Sequence, residues 1–226
     1  MLNICEQYAD EYSIMFNPAK SKLMYFGKNK VNCTNLLYMR DGSSIDFVDK
    51  CMHLGTVIYS DISKKNVDSA VNDLYMRTNN LIADFSFTNS STLSVLYNTY
   101  CMNVYGSQMW LYNDFKSIEP FYIAWRKTIR RIWRLDKRTH NVLIHLINGS
   151  HPIDVILEKR CLKYIWKLFN SAHDLHKNII VGSFRNTGST MAENARYFMF
   201  KYGFNMYDWY GHLKYLLNKI DNYVNV

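Results

Sequence analysis

The sequence predicts an α+β fold that is mostly helical, with short antiparallel strands up to Asp61 and a helical bundle beyond it. Three observations predict it. Turn signals crowd the first part of the chain, at Asn17-Pro18, Asp41-Gly42 and Gly55, which leaves room only for short elements. After Asp61 apolar residues recur at helical spacing over long stretches. In 226 residues a hydrophobic content of 48% is enough for a packed core.

Taken in order, Ile4, Tyr8, Tyr12 and Cys5, Ala9 recur at helical spacing, so a helix is expected from Ile4 to Ile14, stopped by Asn17-Pro18. Lys22 to Phe26 reads as a short strand. Leu36–Met39 and Ile45–Val48 flank Arg40-Asp41-Gly42-Ser43, a hairpin signal. The stretch CMHLGTVIYSD reads as one further strand, with Gly55 marking a bulge or a close approach to the backbone.

The first expected helix of the bundle is KKNVDSAVNDLYMRTNNLIADF, with Val67, Val71, Leu74, Leu81 and Ile82 on its apolar side. A second runs from Thr92 to Trp110, capped by a serine or threonine of STL. A third runs from about Ile118 to Arg138, with Pro120 in its first turn. A fourth spans Ile153 to Asp174, and weaker helical segments lie near Thr190–Lys201 and Tyr207–Val224. The expected parts are residues 1–61, 62–148 and 149–226, the second boundary falling at Asn148-Gly149-Ser150.

Composition excludes several classes. Five widely spaced cysteines without a Cys-x-x-Cys pair indicate neither a disulfide framework nor a zinc site, and read as reduced packing residues of an intracellular chain. No basic, then apolar N-terminal segment marks a signal peptide. The uncharged span Phe85–Asn113 is interrupted too often by Asn, Ser, Thr and Gln for a membrane span. A net charge of +8 favours an acidic partner.

That charge is concentrated in FYIAWRKTIRRIWRLDKRTHN. On a helix extended through this stretch, Lys127, Arg130, Arg131, Arg134 and Arg138 share an arc of about 100°, opposite Ile118, Phe121, Tyr122, Trp125, Ile129, Ile132 and Trp133. Between Arg126 and Arg138 seven basic residues face one acid, Asp136. Three partners fit: solvent, an anionic membrane or calmodulin-like protein, and nucleic acid. Like charges at i,i+4 repel by a few tenths of a kcal/mol per pair, and a polyanion turns that repulsion into binding.

No complete catalytic centre is legible. Tyr8-Ala9-Asp10-Glu11 has the residue types of a metal-holding box, but such a box needs a tight hairpin and these residues have helical period. His140 and His145, and His173 and His176, lack the acid pattern of a metal motif. Cys161 has no obvious paired histidine, and no glycine-rich phosphate loop or nucleophile elbow is present.

The order of YADEYSIMFNPAKSKLMYFG, HLGTVI, LYNTYCMNVYGSQMW and WRKTIRRIWRLDKRTHNVLIHLINGSHPIDVILEKR resembles the C-terminal half, palm edge and thumb, of reverse transcriptases encoded by LINE-type (non-LTR) retrotransposons. The resemblance covers about residues 1–170. It implies an RNA-directed DNA polymerase that uses Mg2+, whose paired metal-binding aspartates would precede this chain. The chain itself is then expected to be inactive alone, with no cofactor of its own, its partners being a nucleic-acid duplex and the N-terminal half of the polymerase. By position Lys20 would lie near the phosphates of the incoming nucleotide, with Lys22 close by. His53-Leu54-Gly55 would be a primer grip, although an aromatic hydroxyl residue more often stands where His53 does. Residues 1–61 would be the palm edge and the helices after them a thumb-like bundle, with Lys127, Arg130, Arg131, Arg134 and Arg138 on the duplex backbone. The implied setting is the nucleus or cytoplasm. The alternative is a non-enzymatic nucleic-acid-binding or interaction module derived from a decayed element. Residues 175–226 receive no role.

Overall fold

The structure, a computed structural model, describes residues 2–25, 37–38, 42–53, 56–60, 65–102, 104–185 and 189–203. The chain divides into two compact units, Met1–Ile62 and Ser63–Val226.

The first unit opens with α1 (Leu2–Glu11). It ends before Asn17-Pro18, because Ser13 turns left-handed (φ 52°). Ile14 N–H then bonds Ala9 O at 2.8 Å and Ser13 N–H bonds Asp10 O at 3.4 Å, the paired closure that satisfies orphan carbonyls at a helix end. Of the expected Ile4, Tyr8, Tyr12 stripe, Ile4 and Tyr8 lie on the helix and Tyr12 in the turn after it; all three are exposed, with the two tyrosine rings 4.4 Å apart. Among the side chains of α1 from Asn3 to Glu11 only Ala9 is buried.

Pro18 then occupies a turn in which Lys20 N–H bonds Asn17 O (3.1 Å), and β1 (Lys22–Leu23) follows. β2 (Leu37–Tyr38) and β3 (Ser44–Phe47) pair antiparallel with Tyr38 opposite Ser44, as Asp41-Gly42 leads one to expect. Gly42 has a φ of 80°, which glycine adopts at no steric cost. β1 joins the other edge of β3, in parallel.

The single strand expected over CMHLGTVIYSD is instead a second hairpin. β4 (Lys50–His53) and β5 (Thr56–Tyr59) pair antiparallel from Lys50–Tyr59 to His53–Thr56. The register leaves only residues 54 and 55 between the strands, the two-residue spacing for which a glycine is the usual choice.

The second unit is helical. α2 (Lys65–Asp84) buries Val67, Leu74 and Leu81 as its periodicity predicts. α3 (Ser90–Leu96) is capped by Asn89, whose side chain accepts from Thr92 N–H at 2.8 Å, two residues ahead of Ser91, the first of the serine-threonine pair expected as the cap. The helix widens into a π turn, Tyr97–Cys101, and stops at Met102 instead of reaching Trp110. Gly106 (φ 77°) reverses the chain into a 3-10 turn, Ser107–Met109. Trp110 and Tyr112 are then buried, and their backbone is held by Asn194, which accepts from Tyr112 N–H (2.8 Å) and donates to Trp110 O (2.7 Å).

α4 (Phe115–Ile132) starts earlier and ends earlier than the sequence suggests. Pro120 consequently lies inside the helix rather than in its first turn. The helix buries Ile118, Phe121, Tyr122, Trp125, Ile129 and Ile132, the expected apolar face, with Thr128 among them. α5 (Asn141–Ile147) is an additional element, closed by Gly149 (φ 61°). The fourth expected helix, Ile153 to Asp174, is α6 (Ile153–Phe169) and ends at Phe169, while α7 (Asp174–Arg185) is a further helix that begins where the expected one stops. Ser171 makes the break, since its hydroxyl accepts from His173 N–H (3.2 Å) and meets His176 Nδ1 (2.6 Å). α8 (Thr190–Lys201) lies where expected, and the segment Tyr207–Val224 lies outside the described residues.

One hydrophobic core runs from Val67 to Phe198. It does not part at residues 148–150. Buried Asn148 accepts from Ser94 Oγ (2.6 Å) and Trp133 Nε1 (3.0 Å), tying the end of α5 to α3 and to the end of α4. Cys101 and Cys161 are buried in this unit, whereas Cys5 is exposed and therefore not a packing residue. Among the described residues no helix is long and apolar enough to cross a membrane.

Candidate nucleic-acid interface

The basic residues of the third expected helix do not form one straight stripe. α4 ends at Ile132, and Arg134 sits beyond it in the left-handed region (φ 51°). Leu135 N–H bonds Arg130 O at 2.8 Å and Arg134 N–H bonds Arg131 O at 3.2 Å, so Arg134 fills the position that glycine usually takes after a helix. Lys137 and Arg138 follow in a turn organised by Asp136, whose carboxylate accepts from Arg138 N–H at 2.7 Å.

This division separates two kinds of cation. Arg130 donates through Nη2 to Thr139 O and to Asn141 Oδ1, both at 2.8 Å, folding the following turn back onto α4. Its Nε is buried without a partner. Burial, and then repulsion from Arg126, lowers its pKa from the ordinary arginine value. Arg131 donates to Asn79 Oδ1 of α2. These two arginines hold elements together.

Lys127, Arg134, Lys137 and Arg138 are exposed, and no side-chain partner is formed by any of them among the described residues. All four lie around the C-terminal end of α4, where the unsatisfied carbonyls carry partial negative charge and favour cations. That field accounts for some of the clustering. It does not account for an exposed arginine in a backbone conformation that is unfavourable for every residue with a Cβ.

The residues expected from the polymerase resemblance lie in the first unit. Lys20 is exposed at the end of the Asn17-Pro18 turn. Lys22 is distinguished from it by an ion pair with Asp46 across β1 and β3, at 2.7 Å. His53 is exposed at the end of β4, while Leu54 and Gly55 lie outside the described residues. Tyr8, Ala9, Asp10 and Glu11 are on α1, and among the described residues no three His, Cys, Asp or Glu side chains are placed to hold a metal ion.

Sequence reasoning missed two polar sites. Glu158 is buried on α6, where Lys201 Nζ (2.6 Å) and Tyr202 OH (2.7 Å) both donate to it. On the same helix, His151, Val155, Ile156, Lys159, Arg160 and Lys163 line a cavity. The spacing of Lys159 and Lys163 within a helical stretch was the available signal for the second; nothing local signals the first.

No protein-family model matches the chain, and no curated protein or solved structure matches it.

Proposed function

We propose that the helical unit grips the phosphate backbone of a nucleic-acid duplex, as the thumb-like part of a LINE-type retrotransposon RNA-directed DNA polymerase. The reading rests on the motif order of the sequence. The observation that carries the binding half of it is the exposed arginine held left-handed at the end of α4, with Lys127, Lys137 and Arg138 beside it in sequence. A phosphate backbone would relieve their repulsion, and the contact would read charge rather than sequence. On this reading the aspartate pair and its Mg2+ belong to another part of the polymerase, Lys20 and His53 face the primer terminus, and the setting is nuclear or cytoplasmic.

The test is binding of an RNA–DNA hybrid over a range of salt concentrations. Binding should weaken linearly in log–log form, and changing Lys127, Arg134 and Arg138 together to glutamine should reduce the slope by roughly 2 to 3, near one unit per lost phosphate contact. An unchanged slope rejects this surface. Purified chain with Mg2+ and nucleotides should not extend a primer.

A second reading, a stand-alone binding module from a decayed element, is favoured by the core of the helical unit, which is built from residues of that unit alone. The two readings separate at the first unit. Lys20→Ala and His53→Ala should weaken binding to a recessed 3′ end if the polymerase reading holds, and should have no effect if the module reading does.

A further inference from the structure

Arg130 is a half-buried cation whose hydrogen-bond partners are neutral. Nη2 donates to Thr139 O and to Asn141 Oδ1, Nε is buried without a partner, and among the described residues no carboxylate pairs with the guanidinium. Burial, and then repulsion from Arg126, both act against its charge. A cation withdrawn from water is costly unless an anion accompanies it, and an anion beside Thr139 would offset that cost.

Thr139 can carry that anion itself. It is half-buried, outside any helix or strand, between α4 and α5, and its hydroxyl makes no hydrogen bond among the described residues. Arg134, Lys137 and Arg138 stand five, two and one positions ahead of it and are exposed. The acid among them, Asp136, accepts from Arg138 N–H. No other serine or threonine of the chain has three basic residues among the five before it. Ser69 and Thr128 have two each, but they lie within α2 and α4, where an extended substrate would first require the helix to open. Charge pattern ahead of the hydroxyl is what kinases use to select substrates.

We propose that Thr139 is a phosphorylation site for a serine/threonine kinase that selects basic substrates, and that the phosphate pairs with Arg130. In the transfer Thr139 Oγ1 bonds to the γ-phosphorus of ATP, the bond from that phosphorus to the bridging oxygen breaks to release ADP, and the hydroxyl proton passes to the base of the kinase. Phosphate oxygens match the arginine fork, so the product fixes the chain between α4 and α5 to the helix end. It also sets about −1.5 to −2 charge next to Arg134, Lys137 and Arg138, which weakens their attraction for a polyanion; this last consequence alone rests on the duplex-binding reading.

The whole chain is incubated with ATP and the catalytic domains of protein kinases A, C and G in turn, and phosphate is located by peptide mass mapping. It should appear at Thr139 before Ser69 or Thr128, and Thr139→Val should remove that signal. The phosphorus resonance of the modified chain should titrate at lower pH than that of a phosphopeptide of residues 134–142, which keeps Arg134, Lys137 and Arg138 but lacks Arg130. Arg130→Gln should abolish the difference; if that variant does not fold, the comparison of parent and peptide decides. No phosphate at Thr139 with any of the three kinases, earlier modification of Ser69 or Thr128, or equal titration of chain and peptide overturns the proposal. Binding of an RNA–DNA hybrid at about 0.1 M salt should fall at least about tenfold on phosphorylation, and unchanged binding contradicts the weakening. A parent chain that binds no hybrid rejects the duplex reading and leaves the mass map and the titration to decide the site.

Discussion

Arg134 shows how much a single backbone angle can carry. Its φ of 51° suits glycine, and the cost of a Cβ there is about 1–2 kcal/mol. Replacing it with glycine should therefore stabilise the helical unit by about 0.5–1 kcal/mol, after the greater freedom of glycine in the unfolded chain is subtracted. On the proposed function the same change should weaken hybrid binding. Denaturant unfolding and a binding titration on Arg134→Gly measure both, and a variant that loses stability shows that the arginine side chain itself holds the turn. The sequence revealed that this stretch is basic but not how its charges divide. Arg130 and Arg131 are engaged by Thr139, Asn141 and Asn79, and the Asn79 contact spans 52 positions of sequence, beyond the reach of periodicity.

At the scale of elements, periodicity located the helices well where an apolar face meets the core, as in α2, α4 and α8. It misplaced their ends. The expected third helix runs through Trp133–Arg138 because the basic residues continue in phase, whereas α4 ends at Ile132 and α5 forms in a stretch between the expected helices. The helix end is set by backbone hydrogen bonds around Arg134, which side-chain patterning does not encode. Periodicity reads the stretch around Gly55 as one strand with a bulge or a close approach to the backbone, whereas the segments on either side of it are two strands that pair with each other. A buried polar contact joins the π turn to α4: Thr128 Oγ1 donates to Trp125 O (2.8 Å) and so receives the Tyr97 hydroxyl, also at 2.8 Å. Thr128→Val should destabilise the protein by about 1–3 kcal/mol, because it leaves a buried hydroxyl without an acceptor. Adding Tyr97→Phe to that variant should recover part of the loss. Unfolding midpoints of the two single variants and the double variant give the coupling, and strict additivity would mean that the contact contributes nothing.

For the molecule as a whole, the buried tyrosines set a limit on alkaline stability. Burial raises Tyr97, Tyr112 and Tyr122 above the ordinary value of 10.0. Tyr202 is raised by burial and then by its hydrogen bond to Glu158. For Lys201 burial acts downward, but Glu158 outweighs it and leaves the pKa raised. Each of these groups keeps its proton longer in the folded state than in the unfolded chain. Their contribution is complete below the ordinary values and is lost as pH rises through the folded ones. The unfolding midpoint should be insensitive to these groups at neutral pH and fall once the pH passes about 10, with tyrosinate absorbance appearing together with unfolding. Tyrosinate appearing while the fold remains intact would contradict this assignment. The overall class, short strands followed by helices, was legible because it depends on turn residues and apolar spacing. The exposure of Ile4, Tyr8 and Tyr12 was not, because spacing identifies a stripe without saying what covers it.

Glu158 gives the far end of the described chain a hold over its middle. Its two donors, Lys201 and Tyr202, come from 43 and 44 positions downstream, so a polypeptide clipped just ahead of Lys201 would strand a carboxylate in a dry interior. Trimming at the tail would thus be felt as a fault in the centre, and shortened versions would be expected to fail abruptly at that pair of residues rather than decline by degrees.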